Sequence, residues 1–524
     1  MTESVCHSAP GASNSCALST APDRLSKLLP CLLVTIVALV IAGWHLDRSY
    51  WNDEAWGVDS AMQPNLLQVW QVTIEKQQPG PPGFLAMLHL AEQGRFLGPW
   101  VFRVPAILSG LLLVFSAASL VRQMSGFHSL GWFVSLVLLA NPFVQRYLTE
   151  SKQYMTDAAF TIALIVATRA WIASASRRAM IAWTLLATLG VTLSFSFWFT
   201  VAATGPFLLL TWLKRGDRQQ LARVIIAGTL TAISGGIVYF TYAKPISAGM
   251  GGLGIWEGSY LAHDGRMFGQ LWEFWSGFLG GSWLPYSLPG NVILAAALAG
   301  LVLWMRRDPV TGIAVVATLL VTVAANLAGR WPMVVRVNLT IIILLHLACM
   351  AGPLCIVSWL VDRPRKRALQ GGAQPQRLLP ALENTGLAAT ILLAAATLYM
   401  SRSLEHEPCN IHALMRETAA RAGSGDQVIL DWATRVHQEL FHVPIHAKVV
   451  HFDWTDRATV ATDYGSLIRA HGGRTLVLSS MDNHDRTAVW EILAKSLADQ
   501  GKLERIWSDQ SRRVPVAIYE YRPK

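Results

Sequence analysis

Two adjacent carboxylates, Asp53 and Glu54, lie in the stretch DRSYWNDEAWGVDS with Trp51 and Trp56 beside them. A positioned carboxylate can take the proton of a hydroxyl as that hydroxyl attacks an electrophilic carbon. Helix neighbours point about 100° apart, so both acids can hardly aim at one atom. One is then expected to do chemistry while the other braces it or binds a cation. The residues demand no cofactor; a divalent metal at Asp53 and Glu54 is left open. The plainer alternative is a pair of solvated acids in an interfacial aromatic belt. A second group, Glu150, Gln153, Tyr154 and Asp157, follows i, i+3, i+4, i+7 spacing and shares one face if helical. A polar stripe entering a membrane faces protein or a water-filled cavity; a hydrogen-bond network that only packs helices is the alternative. Arg146 and Lys152 flank this stripe and suit Glu150 or a substrate phosphate. Arg330 and Arg336 bracket Trp331 and Pro332, and Arg103 precedes another apolar run. The guanidinium fork matches phosphate, while snorkelling anchors explain the same arginines equally well.

The elements that must position these groups are membrane helices. Apolar runs recur at 28–46, 100–121, 130–145, 155–173, 179–195, 197–213, 223–243, 291–305, 310–328, 334–360 and 386–400. A helix needs about 20 apolar residues to cross a bilayer core, so the chain is predicted to cross about eleven times. Basic residues mark cytoplasmic loops. Arg24, Lys27, Arg122, Arg177, Arg178, Lys214, Arg215, Arg218, Arg306, Arg307, Arg363, Arg365, Lys366 and Arg367 all fall on one side if the N-terminus is inside. The long connections 47–99 and 244–290 and the segment 401–524 then lie outside. Residues 1–27, rich in Ser, Ala and Pro at their start, are expected to be a disordered cytoplasmic terminus, and 28–400 a membrane domain. The first run reads as an anchor, being longer than a secretory apolar region and lacking an A-x-A site.

Composition excludes an ordinary soluble protein: 52% of residues are hydrophobic and only 15% charged. The net charge of +10 sits mostly in juxtamembrane loops, where orientation and anionic lipid explain it without nucleic acid. Six scattered cysteines give neither a CxxC pair nor a disulfide framework. After 401 the pattern changes. VILDW, KVVHFDW, TLVLSS and VAIYEY read as strands, at 428–432, 448–454, 475–480 and 516–521. Helical patterns lie at 412–421, 435–441, 464–470 and 486–499, so a small α/β domain with a mostly parallel sheet is predicted. His437, His442, His446 and His451 lack the spacing of a zinc site. His346, deep in an apolar run, reads as a packed, hydrogen-bonded side chain.

In the first outer connection Asn65 is placed to cap a short helix whose Leu66, Val69, Trp70 and Thr73 share a face. Pro79, Pro81 and Pro82 interrupt any continuous helix, and a second interfacial helix is predicted over 84–93. The motifs WNDEA (51–55), QPGPPGFL (78–85), FRVPAIL (102–108) and ESKQYMTD (150–157), in this order, resemble the GT-C membrane glycosyltransferases. They are most similar to the bacterial branch holding lipid A galacturonic acid and aminoarabinose transferases and protein O-mannosyltransferases. The resemblance covers residue 28 to about residue 245, and the remaining runs only by topology. It implies a GT-C-like polytopic α-helical fold in the bacterial inner membrane, with site and C-terminal domain periplasmic. It further implies inverting transfer of a sugar from a polyprenyl-phosphate donor to a lipid, polysaccharide or protein acceptor, with Asp53 as general base. One departure stands out: aminoarabinose transferases carry a lysine before the loop proline, whereas Gly80 precedes Pro81 here.

Two other classes compete. A flippase or transporter of lipid-linked sugar would show repeats and interrupted midplane helices, and no convincing repeat is present. A non-catalytic envelope scaffold would not need both acids. The orientation has a direct test: single cysteines near Gly57 and near Ser466 should label with an impermeant reagent added outside, and one near Arg177 should not. Protection at either of the first two overturns the assignment of sides.

Overall fold

In the computed structural model the described residues are 21–46, 48–50, 52–75, 80–246, 259–280, 289–370, 378–402, 410–452, 460–479, 493–510 and 516–524. The N-terminal segment expected to be disordered falls largely outside them. Each apolar run falls largely on helix, the run at 130–145 on two. Among the described residues seven helical stretches are long and apolar enough to cross a membrane: Pro99–Ser125, Tyr154–Ser174, Phe197–Arg215, Arg218–Ile246, Gly290–Arg307, Pro309–Leu327 and Val335–Ile356. Leu28–Trp44, His128–Leu139 and Thr385–Ser401 are shorter apolar helices, and Arg177–Leu193 has 17 residues.

The helix Tyr154–Ser174 is the centre of the bundle, with 78% of its apolar window enclosed. It packs on Val104–Ser125, where the Ser109 and Thr156 hydroxyls meet at 2.8 Å. The helices Gly290–Arg307 and Leu339–Gln370 approach so closely that a Cβ on Gly300 would stand 1.9 Å from the Ala348 carbonyl oxygen. Only glycine allows that backbone contact. The run at 130–145 is not one helix. It breaks at Asn141, whose Oδ1 accepts the Phe143 amide at 2.8 Å and caps the helix Pro142–Leu148. The Asn141 amide also reaches His346 Nε2 at 3.2 Å, while His346 Nδ1 donates to the Ile342 carbonyl at 2.6 Å. His346 is thus a structural side chain that supports the break.

The first outer connection folds as three helices, Asn52–Ala61, Leu66–Glu75 and Pro82–Glu92. Asn65 caps the second, accepting the Gln68 amide at 3.0 Å, and Val69 and Thr73 are buried from its inner face. The third begins on Pro82, where a missing N–H costs nothing. Its His89 Nδ1 lies 2.8 Å from the Ala61 carbonyl oxygen. Gly57 is buried, its Cβ position facing Leu88 and the Ser151 carbonyl at 3.7 Å, so exposed Asn65 is the better labelling position in this connection.

The C-terminal segment forms a five-stranded sheet of order β2-β1-β3-β5-β4: β1 Gln427–Asp431, β2 Lys448–Phe452, β3 Thr475–Ser479, β4 Gly501–Asp509 and β5 Val516–Pro523. The first three strands are parallel. The last two are antiparallel, so the sheet is mixed. Strand β4 went unread in the sequence because it is an edge strand, with Lys502, Glu504 and Arg505 exposed and a bulge between Arg505 and Trp507. Of the helix expected over 486–499 only 493–499 is described, and it is helical over 493–497. The domain does not hang free. Ile411, Leu414, Met415, Val436 and Ile518 share one apolar cluster with Tyr50, Ala55, Val58 and Phe84 of the first outer connection. The His412 amide donates to Ser49 Oγ at 3.1 Å. Outer connection and C-terminal domain therefore occupy the same end of the bundle.

Within the sheet Glu520, 3% exposed, accepts Arg522 Nε at 2.7 Å and Arg474 Nε at 2.6 Å; Arg474 also bonds Asp426. The hydrogen bond from Arg522, then that from Arg474, holds the Glu520 carboxyl below the usual range against the opposing effect of burial. A carboxylate with a depressed folded pKa stabilises above its unfolded pKa, and the gain is lost as pH falls through the folded value. Protease resistance of this domain in the intact protein should therefore fall as pH drops below about 4. Glu520→Gln should flatten that acid limb and cost about 1 kcal/mol or less at neutral pH, since solvent screens Arg522.

Candidate functional site

The helix Asn52–Ala61 delivers Glu54 into a closed knot of charge. Glu54 is fully buried. Arg48 grips it bidentately, Nη1 to Oε2 at 2.8 Å and Nη2 to Oε1 at 2.9 Å. Arg103 Nη1 approaches Oε1 at 3.4 Å, and the Ser151 amide donates to Oε1 at 2.7 Å. Glu54 lies in the first turn of its helix, where the peptide dipoles favour negative charge. Two arginines face one carboxylate, and backbone oxygens take further Nη donors, while Arg48 Nε and Arg103 Nε are buried without an acceptor among the described residues. Arg48 Nη2 donates to the Thr149 carbonyl at 3.0 Å and Arg103 Nη2 to the Arg48 carbonyl at 2.7 Å. Arg103 Nη1 also donates to Thr149.

The Tyr50 ring lies under the Arg103 guanidinium at 4.5 Å, a cation–π contact, and its hydroxyl donates to the Pro99 carbonyl. Burial, the leading cause, pushes the Tyr50 phenol up to about 12, which keeps that donor protonated. The knot thus ties the end of the first membrane helix, the outer helix Asn52–Ala61, the base of the next span and the turn 149–151.

That turn corrects one expectation. Residues 149–153 are not helical: one helix ends at Leu148 and the next begins at Tyr154. Glu150, Gln153, Tyr154 and Asp157 therefore do not share one helix face. The reason is local capture, because Glu54 takes the Ser151 amide and both arginines take the Thr149 carbonyl. Glu150, 1% exposed, accepts Arg146 Nε at 3.3 Å. Lys152 and Gln153 are buried beside it, and Tyr154 meets Tyr147 edge-on at 5.3 Å. Asp157 is buried beside the Ser194 and Ser196 hydroxyls, with its Oδ1 unbonded.

The polar path continues through Ser196, whose hydroxyl lies 3.5 Å from Thr340 Oγ1. It reaches the connection before that helix, where Phe199 meets Trp331 edge-on at 5.2 Å. Arg330 is exposed there and Arg336 half-buried. Asn326 and Asn338 hold this connection, donating to the Trp331 carbonyl at 2.6 Å and the Pro332 carbonyl at 2.9 Å. The structure thus gathers Glu54, Arg103 and the turn 149–153 in one place. It extends them through Asp157 toward the connection that bears Arg330 and Arg336. The side chain of Asp53 lies outside the described residues; its backbone is the second residue of Asn52–Ala61. Among the described residues no group of three or more His, Cys, Asp or Glu side chains is placed to hold a metal ion.

Sequence reasoning missed Arg48. A signal existed: a base at the outer end of the first span runs against the charge rule and stands six residues before an acid. Arg103, expected to touch substrate, is fully buried and belongs to the knot.

No family model and no curated protein matches the chain. Solved structures do. The crystal structure of ArnT from Cupriavidus metallidurans in the apo state superposes with a TM-score of 0.53 at 13% identity, covering 93% of this chain and 97% of that one. The same protein bound to undecaprenyl phosphate gives 0.52 at 14% identity, with equal coverage. At such identity the likeness is one of fold, and it extends from the membrane helices through the C-terminal domain. The chain has the GT-C-like fold that its motifs implied.

Removing one partner of a buried ion pair leaves the other charge uncompensated, typically at 3–5 kcal/mol. Glu54→Ala should therefore lower thermal stability by about that amount. The double variant Arg48→Ala, Glu54→Ala should cost about 1–3 kcal/mol less than the two single losses added. Additive losses in a melting-temperature cycle would remove the pair from its structural role.

Proposed function

We propose that this chain is an integral membrane glycosyltransferase, taking a sugar from a polyprenyl-phosphate carrier and giving it to a hydroxyl acceptor with inversion. The carrying observation is a fold shared along 93% of the chain with a protein crystallised with undecaprenyl phosphate. The site supports this reading. Both Glu54 oxygens are engaged by arginines and an amide, so Glu54 is a positioning residue and its neighbour Asp53 is the carboxylate left for base chemistry. In the reaction the acceptor O–H proton passes to Asp53 as the oxygen bonds to the anomeric carbon. The bond to the carrier phosphate breaks, and its electron pair leaves with the phosphate. That developing charge needs cationic partners. Lys152 and Arg146 at the turn, and Arg330 and Arg336 beyond it, are the proposed ones.

A divalent metal does not fit Glu54. Two guanidinium groups already surround it, and a third positive charge would be repelled. The mechanism therefore takes no step through a metal there. Gly80 in place of the lysine of aminoarabinose transferases weighs against an aminoarabinose donor. The acceptor is proposed to be a lipid, polysaccharide or protein on the periplasmic side of a bacterial inner membrane. Lipid-extract mass spectrometry of a deletion strain should show the missing sugar and the accumulated donor.

Asp53→Asn should reduce transfer about 10²–10⁴-fold, the range of a lost general base, with melting temperature unchanged. Glu54→Gln should lower stability and rate together. Purified variants assayed with labelled lipid extract decide between them: near-normal turnover by Asp53→Asn would take the base role from that residue.

A further inference from the structure

The far end of the second membrane helix carries a pocket that the transfer chemistry does not use. The helices Val104–Ser125 and His128–Leu139 are joined by a tight turn at Gly126, φ +78°. Between them Phe115, Ala118, Ser119, Arg122, His128 and Trp132 line an open cavity of about 170 Å³. The four residues from the first helix follow i, i+3, i+4, i+7 spacing and so form one wall. Phe115 and Trp132 meet edge-on at 5.5 Å and make an aromatic floor. Phe115 is 40% exposed on the outside of the bundle. Arg122 stands four positions on from Ala118, is exposed, and forms no ion pair among the described residues. Its neighbour Arg169 is different: Asp308 at 2.6 Å and Gln123 at 3.0 Å engage it. Arg103 and Arg122 are 19 residues apart on one helical rod, so the pocket lies about 29 Å from the charge knot.

We infer that this pocket binds the headgroup of one anionic phospholipid from the leaflet opposite the C-terminal domain. The phosphate would sit against the Arg122 guanidinium and the Ser119 hydroxyl, and the upper acyl chain against Phe115 and Trp132. Charge complementarity selects the occupant: an exposed juxtamembrane arginine attracts anionic headgroups, and aromatic rings favour the boundary between headgroup and chain. Phe115, 40% exposed, gives the pocket an apolar wall that a lipid chain can reach.

The test is native mass spectrometry and thermal melting of the full-length protein with phosphatidylglycerol, phosphatidylcholine or inorganic phosphate. Phosphatidylglycerol should bind and raise the melting temperature; phosphatidylcholine and phosphate should not. Arg122→Gln should weaken phosphatidylglycerol binding about fivefold, the weight of one juxtamembrane base. Trp132→Leu should weaken it without changing the net charge. Arg306→Gln, at an exposed arginine on another helix, should leave it unchanged. An equal response to free phosphate, an equal loss in Arg306→Gln, or unaltered binding in both Arg122→Gln and Trp132→Leu would each overturn the inference.

Discussion

The architecture of the outer end depends on one buried carboxylate. Glu54 has no access to water, and an ionised group in that position is tolerable only when paired and fully hydrogen-bonded. Arg48, Arg103 and the Ser151 amide supply those bonds. Each belongs to a different segment, so satisfying one charge fixes the geometry of four pieces of chain. Charge-assisted, bidentate contacts are also directional, which gives the knot a defined shape as well as energy. The excess positive charge is absorbed by the Thr149 and Arg48 carbonyls and by the Tyr50 ring.

Around this polar centre lies an apolar shell that brings the C-terminal domain in. The three outer helices, of 10, 10 and 11 residues, are too short to cross a bilayer, and they bury residues against their neighbours. Tyr50, Ala55 and Val58 continue directly into Leu414, Met415 and Val436 of the domain. Burial of apolar surface is non-directional and scales with area, so it fastens the domain, while the Ser49 hydroxyl and the His412 amide set its register. The domain thereby roofs the segment that holds Asp53 and Glu54. Changes in the sheet, far away in sequence, are placed to influence the site through this shared cluster.

The two ends of the bundle divide their chemistry. The knot end carries acids, amides and hydroxyls running from Glu54 through Asp157 to Thr340. The opposite end carries exposed bases such as Arg122 and Arg306. There half-buried Arg169 closes a contact with Asp308 and Gln123 that joins three helices, and exposed Arg122 faces an open cavity.

The sequence by itself determined most of the membrane helices, the Asn65 cap, a short helix after the proline cluster and four of the five strands. These follow from length, local periodicity and capping chemistry, each of which acts over a few residues. It also showed where acids and bases are concentrated. It did not determine which group each charge would meet. Glu54 and Ser151 are 97 residues apart, and Arg48 and Thr149 are 101 apart. No local pattern encodes such a pairing, because the cost of an unpaired buried charge exists only once the surrounding helices have excluded water. That cost gathers Arg48, Arg103 and the Ser151 amide around Glu54 and keeps residues 149–153 out of a helix. Strand β4 belongs to the same class. Its charged, weakly alternating residues become a strand only because β5 offers an edge to pair with, and an edge is a property of the folded sheet.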